Sequence, residues 1–423
     1  MDLLIKENSM KEPWSIISSM KPFIQEAWKK AEFQAPTPIQ LKATPLILEG
    51  KDVLAESPTG TGKTLAYLLP ALEKLSPENK SIQIVIMASS HELVMQIHEE
   101  FQKWSQGSDL SAATFIGGAN VKRQLDKLKK HPQLIIGTPG RILELIKQKK
   151  MKMHEVKTIV LDEGDQLLVP EHIHTVKEII KATLKDRQIV LFSATLPEST
   201  EAISKEFMNN PTLIKIDRTE IENNESVEHI YFVSEMREKI DILASISRLE
   251  SAHGLVFVKD IASLSVLAER LEYNRISVGV LHSDADKTVR QAALKNFRAG
   301  KFPLLLATDV AARGLDIQDI THVVHFDLPR DITEYTHRSG RTGRLGSTMK
   351  GTVISLVTDR EERELKQFSR KLNIPVAEKE FYKGQIVDKR VKWERKSSNG
   401  TVKSKSKTSG RTMTPKKGKK KSK

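Results

Sequence analysis

The stretch Ser57-Pro58-Thr59-Gly60-Thr61-Gly62-Lys63-Thr64 has the residue types that hold phosphate groups. Gly60 and Gly62 permit a tight turn with backbone N–H groups pointing inward. Those donors, with a helix N-terminus behind them, suit the α- and β-phosphates of a nucleotide. Lys63 has the reach for the β and γ oxygens, and the Thr64 hydroxyl suits Mg2+. The flanks distinguish this from an ordinary Gly/Thr-rich turn: the apolar run Val53-Leu54-Ala55 precedes it and an apolar helical run, 65–72, follows.

Three further clusters could complete such a site. Asp162-Glu163-Gly164-Asp165 ends an apolar run, 158–161. Asp162 could hold Mg2+ through its waters, and Glu163 could orient or deprotonate an attacking water. An isolated Asp-Glu pair is more often a solvated acidic turn; the apolar strand and the phosphate loop reverse that reading. His337-Arg338-Ser339-Gly340-Arg341-Thr342-Gly343-Arg344 sets three arginines among small residues. A guanidinium suits the charge spreading on a transferring γ-phosphoryl group, although a basic surface loop would read the same way. Phe33 and Gln40 flank Pro36-Thr37-Pro38-Ile39. The Gln40 amide could read an adenine edge and Phe33 could stack on the base.

These residues need a scaffold that brings strand ends together. Apolar runs near 82–88, 112–116, 134–137, 158–162, 189–192 and 213–216 read as strands, with helical stretches at 92–104 and 142–147. A second set follows near 229–233, 255–258, 278–281, 304–307, 323–326 and 352–357. Runs of Val, Ile and Leu without polar alternation suit parallel sheets covered on both faces, with ligands at the carboxyl ends of the strands. The polar segment 217–226 reads as a linker. The expected division is an irregular extension over 1–21, a nucleotide-binding domain over 22–216, the linker, a second α/β domain over 227–378, and a basic, mostly disordered tail over 379–423.

Composition agrees. A chain of 423 residues exceeds one ordinary core. The tail holds 17 Lys and Arg against 3 Asp and Glu, which accounts for the whole net charge of +14. Such an arm attracts phosphate backbones. No apolar run approaches a membrane span, and the N-terminus lacks a signal-peptide pattern, so no membrane association is expected. The absence of cysteine excludes disulfides and thiolate metal sites and is compatible with a cytoplasmic protein.

Taken in order, these segments resemble the motifs of the DEAD-box RNA helicases, across most of residues 14–375. The Phe33–Gln40 segment resembles the Q motif, the phosphate loop motif I, and Asp162-Glu163-Gly164-Asp165 motif II with Gly in place of Ala. Ser193-Ala194-Thr195 resembles motif III, Val256-Phe257-Val258 motif IV, Ala307-Thr308-Asp309 through Arg313-Gly314-Leu315-Asp316 motif V, and the arginine segment motif VI. The resemblance implies two tandem RecA-like α/β domains with parallel sheets, closing over ATP, Mg2+ and single-stranded RNA. It implies Arg341 and Arg344 as fingers on the γ-phosphate, with Asp316 coupling the nucleotide to closure. It implies Asp165, Ser193, Thr195 and His337 as the link between the acid segment and the domain interface. Gly118, Thr138, Gly140, Arg141, Arg290 and Thr308 would hold the RNA backbone, which gives affinity without sequence choice.

Some positions depart from the family. Ser89-Ser90-His91-Glu92-Leu93 stands where Pro-Thr-Arg-Glu-Leu is usual, Ser283 replaces a Gly, and Lys287 replaces a Gln. The function implied is an ATP-dependent RNA helicase that unwinds short duplexes or remodels RNA–protein complexes, expected to be monomeric and to serve ribosomal or RNA-decay complexes. An ATP-gated RNA clamp with little strand separation would use the same motifs; a DNA helicase is disfavoured by the adenine segment and by Thr138-Pro139-Gly140-Arg141.

Overall fold

The computed structural model describes residues 14–389, apart from 34, 217–226, 251, 283, 313–316, 318 and 344–349. Asp316, Arg344, the linker, most of the basic tail and the extreme N-terminus therefore lie outside the described residues.

The first domain is built on β1 (Val53–Glu56), β2 (Ile84–Met87), β3 (Ala112–Phe115), β4 (Leu134–Gly137), β5 (Thr158–Asp162), β6 (Gln188–Ser193) and β7 (Thr212–Lys215). All pair in parallel, in the order β3-β4-β2-β5-β6-β1-β7. Apart from the edge strand β7, their near-total burial explains the unbroken Val, Ile and Leu runs, since separate apolar clusters pack on the two faces of the sheet. Because the strands are parallel, every carboxyl end lies on one edge. The order divides that edge: β3, β4 and β2 present their following loops on one half, and β5, β6 and β1 on the other.

The helices that frame this edge are α1 (Ser15–Ser18), α2 (Pro22–Lys30), α3 (Pro38–Leu48), α4 (Lys63–Lys74) and α5 (His91–Trp104). Over residues 14–21 the expectation of an irregular, peripheral stretch is corrected; residues 1–13 lie outside the described residues. Trp14, Ile17 and Met20 are buried in the first domain's core, and Trp14 packs on Trp28 with ring centroids 5.3 Å apart.

The second domain contains β8 (Val227–Val233), β9 (Gly254–Phe257), β10 (Val278–Leu281), β11 (Leu304–Ala307), β12 (His322–His325), β13 (Gly351–Val357), β14 (Ala377–Tyr382) and β15 (Gln385–Asp388). The order is β10-β11-β9-β12-β13-β8-β14-β15, parallel except for the terminal hairpin. The boundary expected at 378 is therefore too early: the sheet runs on to Asp388. Phe381 and Ile386 anchor this hairpin to the domain core, with Phe381 stacked on Phe232.

Candidate nucleotide site and RNA-facing edge

The phosphate loop leaves β1 and enters α4. Gly60 and Gly62 sit at φ +80° and +87°, in the left-handed region that only glycine enters freely. At Gly62 a side chain is excluded twice over, because a Cβ would lie 2.6 Å from Gln40 Nε2. The Thr61 hydroxyl donates to the Pro58 carbonyl (2.8 Å) and so accepts from Ser57 Oγ (2.7 Å). Lys63 Nζ donates to the Ser57 and Pro58 carbonyls at 2.7 and 2.9 Å. Burial pushes the Lys63 ammonium down, while Asp162, Asp165 and Glu163 act in the opposite sense.

Gln40 is 3% exposed and does more than sequence reasoning assigned to it. Its Oε1 accepts the Thr37 N–H (3.0 Å) in a capping box on α3, and its Nε2 donates to the Gly62 carbonyl (3.3 Å). It thereby ties the adenine segment to the phosphate loop. One N–H and one oxygen lone pair remain for a base edge. Phe33 leans on Trp28 and Trp104, with centroids at 5.1 and 6.1 Å, and stays 44% exposed.

The acid segment begins at the end of β5, between β2 and β6. Asp162 Oδ1 accepts the Glu163 N–H (3.0 Å) and Oδ2 accepts the Tyr67 hydroxyl (2.7 Å). Burial raises the Asp162 carboxyl to about 6, the Glu163 charge adds to that, and the Tyr67 hydrogen bond and Lys63 oppose it. Burial, then the charge of Asp162, pushes the Tyr67 phenol up and Thr64 acts in the opposite sense, so the two oxygen groups expected on Mg2+ both bear on one phenol. A hydroxyl and a carboxylate are ligands of the type Mg2+ takes, so the residues present fit that ion. Sequence reasoning missed Tyr67. Its signal is a polar-tipped aromatic one turn beyond Lys63 and Thr64 in an otherwise apolar helix.

Glu163 occupies the left-handed region at φ +58° and accepts a hydrogen bond from the Ser89 hydroxyl. The Asp165 N–H donates to Ser193 Oγ (3.1 Å), and its Oδ2 accepts from Thr195 Oγ1 (2.9 Å). The same oxygen lies 2.8 Å from His337 Nε2 of the second domain. Burial works to raise the Asp165 carboxyl, but His337, Ser193 and Thr195 outweigh it and hold it below the usual range.

The arginine segment thus meets the first domain directly. Gly340 lies so close to the phosphate loop that a Cβ on it would fall 2.6 Å from Thr59 Cβ. Arg341, with Gln166, Phe257, Asp309, His337 and Arg338, lines a cavity of about 170 Å3 between the domains. Arg338 braces the second domain from within: it forks onto Asp309 at 2.7 and 2.6 Å and donates to the Asp327 carbonyl at 2.8 Å.

The expected RNA-binding residues of the first domain collect on the β3-β4-β2 half of the edge. Gly118 follows β3, and Thr138, Gly140 and Arg141 follow β4. Arg141 is 8% exposed; it pairs with Glu144 at 3.3 Å and has a buried Nη1 without a hydrogen-bond partner. His91 opens α5 and brings its Nε2 near Gly117. In the second domain Thr308 is buried at the end of β11, and Arg290 donates to the His282 carbonyl (3.3 Å) and ion-pairs with Glu92 of the first domain.

Comparison with known proteins agrees with this geometry. Residues 37–203 match the DEAD/DEAH box helicase family and 238–346 the helicase conserved C-terminal domain. The chain is 53% identical over 380 residues to the probable ATP-dependent RNA helicase YfmL of Bacillus subtilis (strain 168), covering 90% of this chain and 100% of that one. It is 50% identical over 381 residues to the DEAD-box ATP-dependent RNA helicase CshC of Bacillus cereus, covering 90% and 97%. Among solved structures it resembles S. cerevisiae Dbp5 bound to RNA and ADP BeF3, with a TM-score of 0.77 at 30% identity, over 85% of this chain and 94% of that one. It also resembles Mss116p bound to ssRNA and AMP-PNP, with a TM-score of 0.75 at 26% identity, over 86% and 78%. With its phosphate loop, acid segment and arginine segment assembled around one interdomain cleft, the chain belongs to the DEAD-box family of ATP-dependent RNA helicases.

Proposed function

We infer that this chain is an RNA-dependent ATPase that binds single-stranded RNA and locally unwinds short duplexes or remodels RNA–protein complexes. The observation that carries the reading is the seating of the His337–Arg341 segment on the phosphate loop, through Gly340 at Thr59 and His337 at Asp165. A site completed from both domains makes closure depend on the nucleotide, and opening depend on its loss.

In this reading Phe33 stacks on adenine and Gln40 uses its remaining donor and acceptor on the base edge. The N–H groups of 59–64 and Lys63 hold the phosphates, with Lys63 exchanging its loop carbonyls for phosphate oxygens. Thr64 and Asp162 would hold Mg2+, which would supply neutralising charge to the nucleotide phosphates. Glu163 takes the proton of the attacking water, whose oxygen bonds to the γ-phosphorus as the bond to the ADP oxygen breaks. Arg341 and Arg344 balance the charge spreading on the transferring group, and Asp316 couples it to closure. Gly118, Thr138, Gly140, Arg141, Arg290 and Thr308 hold the RNA backbone without reading bases. The reading extends to a monomer, supported by the presence of both halves of the site in one chain, and, on the family resemblance alone, to the cytoplasm and to ribosomal or decay complexes. Among the described residues no helix is long and apolar enough to cross a membrane.

The test is steady-state ATP hydrolysis with and without single-stranded RNA, beside Glu163→Gln. RNA stimulation that disappears in the variant, together with strand separation by the unaltered protein, is the expected result. ATP hydrolysis indifferent to RNA would overturn the reading.

A further inference from the structure

β2 and β5 are neighbours in the first sheet, and their carboxyl ends meet where the RNA-facing half of the edge adjoins the nucleotide half. The chain leaves β2 as Ser89-Ser90-His91-Glu92. Each residue has a different partner. Ser90 caps α5 by accepting the Leu93 N–H at 3.2 Å. His91 faces the Gly117 turn, and Glu92 ion-pairs with Arg290 of the second domain. Ser89 takes no part in the cap; its hydroxyl donates to Glu163 Oε2.

Glu163 needs such a support. Its backbone is in the left-handed region, at the cap position of a short helix, Gly164–Leu167, and its long side chain has rotamer freedom to lose. A hydroxyl fixed on an adjacent strand end removes that freedom at the carboxylate itself. The Pro-Thr-Arg-Glu-Leu motif that this segment resembles has proline here, which has no donor to offer, so the support comes from this chain's serine.

We propose that Ser89 is a positioning residue that aims the Glu163 carboxylate at the attacking water and ties its aim to the seating of the first turn of α5. RNA at the Gly117 turn and the second domain at Glu92 both bear on that turn, so both reach Glu163 through one hydroxyl. The proposal rests on Glu163 being the group that acts on water.

The experiment compares RNA-stimulated ATPase of the full chain with Ser89→Ala, Ser89→Thr and Glu163→Gln, alongside melting temperature. Misalignment of a reacting group lowers turnover more than binding, so Ser89→Ala should lower kcat on the order of tenfold. The KM for ATP and the RNA concentration giving half stimulation should stay within about twofold, because the hydroxyl is committed to Glu163. Ser89→Thr, which keeps the donor, should restore most of the loss. A Ser89→Ala kcat close to that of the unaltered protein overturns the proposal. So does a parallel loss of ATP or RNA binding, or a Thr variant no better than Ala. Full hydrolysis by Glu163→Gln would instead remove the reading of Glu163 beneath it.

Discussion

His337 Nε2 stands 2.8 Å from Asp165 Oδ2, and this contact joins the arginine segment of one domain to the acid segment of the other. Asp165 is held at the same time by Thr195 and Ser193. The contact exists only when the domains meet, so it reports closure. His337→Ala should lower RNA-stimulated ATP turnover by about 5- to 100-fold, the size of an ordinary coupling free energy. Binding of a fluorescent nucleotide in the absence of RNA should change much less, since the phosphate loop lies in the first domain. Equal losses in turnover and binding would mean that the pair supports the nucleotide site itself.

Tyr67 gives a second test. Its hydroxyl donates to Asp162 at 2.7 Å, while its ring packs on Phe192 with centroids 5.4 Å apart. Tyr67→Phe keeps the ring and leaves a buried carboxylate short of a donor, which costs about 1.5–3 kcal/mol when the acceptor is charged. The melting temperature without ligand should fall by several degrees. The deficit should shrink with Mg2+ and a non-hydrolysable ATP analogue, because Asp162 then regains a cationic partner. An unchanged melting temperature would show that the hydroxyl contributes nothing to holding Asp162.

The parts of this site that sequence reasoning found are those whose chemistry is written in consecutive residues. The phosphate loop is one, because two glycines, a lysine and a threonine must be adjacent to surround one phosphate chain. The strands are another, because burial on both faces demands unbroken Val, Ile and Leu. Tyr67–Asp162, Ser89–Glu163 and Glu92–Arg290 are partnerships between distant positions, and no spacing announces them. Trp14, Ile17, Met20 and Ile24 do recur at helical intervals, but Pro22 breaks the run into two short helices; the second, 22–30, is legible in the sequence and the first is not. β14 escapes sequence reading for a different reason: as a half-buried strand near the sheet's edge it carries Glu378, Lys379 and Glu380 and reads as polar. Gly164 reads in sequence as a small change from alanine, yet a Cβ there would lie 2.7 Å from Leu191 Cγ. Leu191 has filled the space that the alanine methyl would need.

The second domain should lose stability in mild acid through His325. The ring is fully buried, its Nδ1 pairs with Ser355 Oγ at 3.1 Å, and its Nε2 has no hydrogen-bond partner. Burial, then the charge of Arg338, then His229 push it well below its ordinary value of 6.5. Tyr335 packs edge-on against it at 5.0 Å. As pH falls below about 6.5 the unfolded chain takes up a proton on this ring and the folded chain does not. The unfolded state then binds more protons, and stability falls by up to about 1.4 kcal/mol per pH unit. Urea unfolding of His325→Asn between pH 7.5 and 5 should give a flatter pH dependence than the unaltered protein, whatever constant offset the smaller side chain brings. Identical slopes would place the acid sensitivity elsewhere.

Arg290, expected from the sequence to hold RNA, is already engaged by a carboxylate in this structure. Nη2 pairs with Glu92 and Nη1 donates to the His282 carbonyl. A guanidinium has five N–H donors, so these two bonds still leave others for a phosphate. What Glu92 imposes is therefore charge rather than occupancy: a carboxylate beside the guanidinium offsets the attraction that a phosphate would feel. Both side chains are partly exposed, at 16% and 29%, so solvent screens the pair and its net worth is small, on the order of 1 kcal/mol or less. Glu92→Gln should accordingly raise single-stranded RNA affinity about two- to fivefold at low salt, and less as salt is added. The slope of log affinity against log salt should steepen by about 0.7, the value of one further phosphate neutralised on a single strand. Arg290→Gln should do the reverse. Fluorescence anisotropy of a labelled oligonucleotide across a salt series measures both. If Glu92→Gln weakens binding as Arg290→Gln does, the carboxylate instead holds the arginine in place for RNA, and the pair acts as one positioned unit.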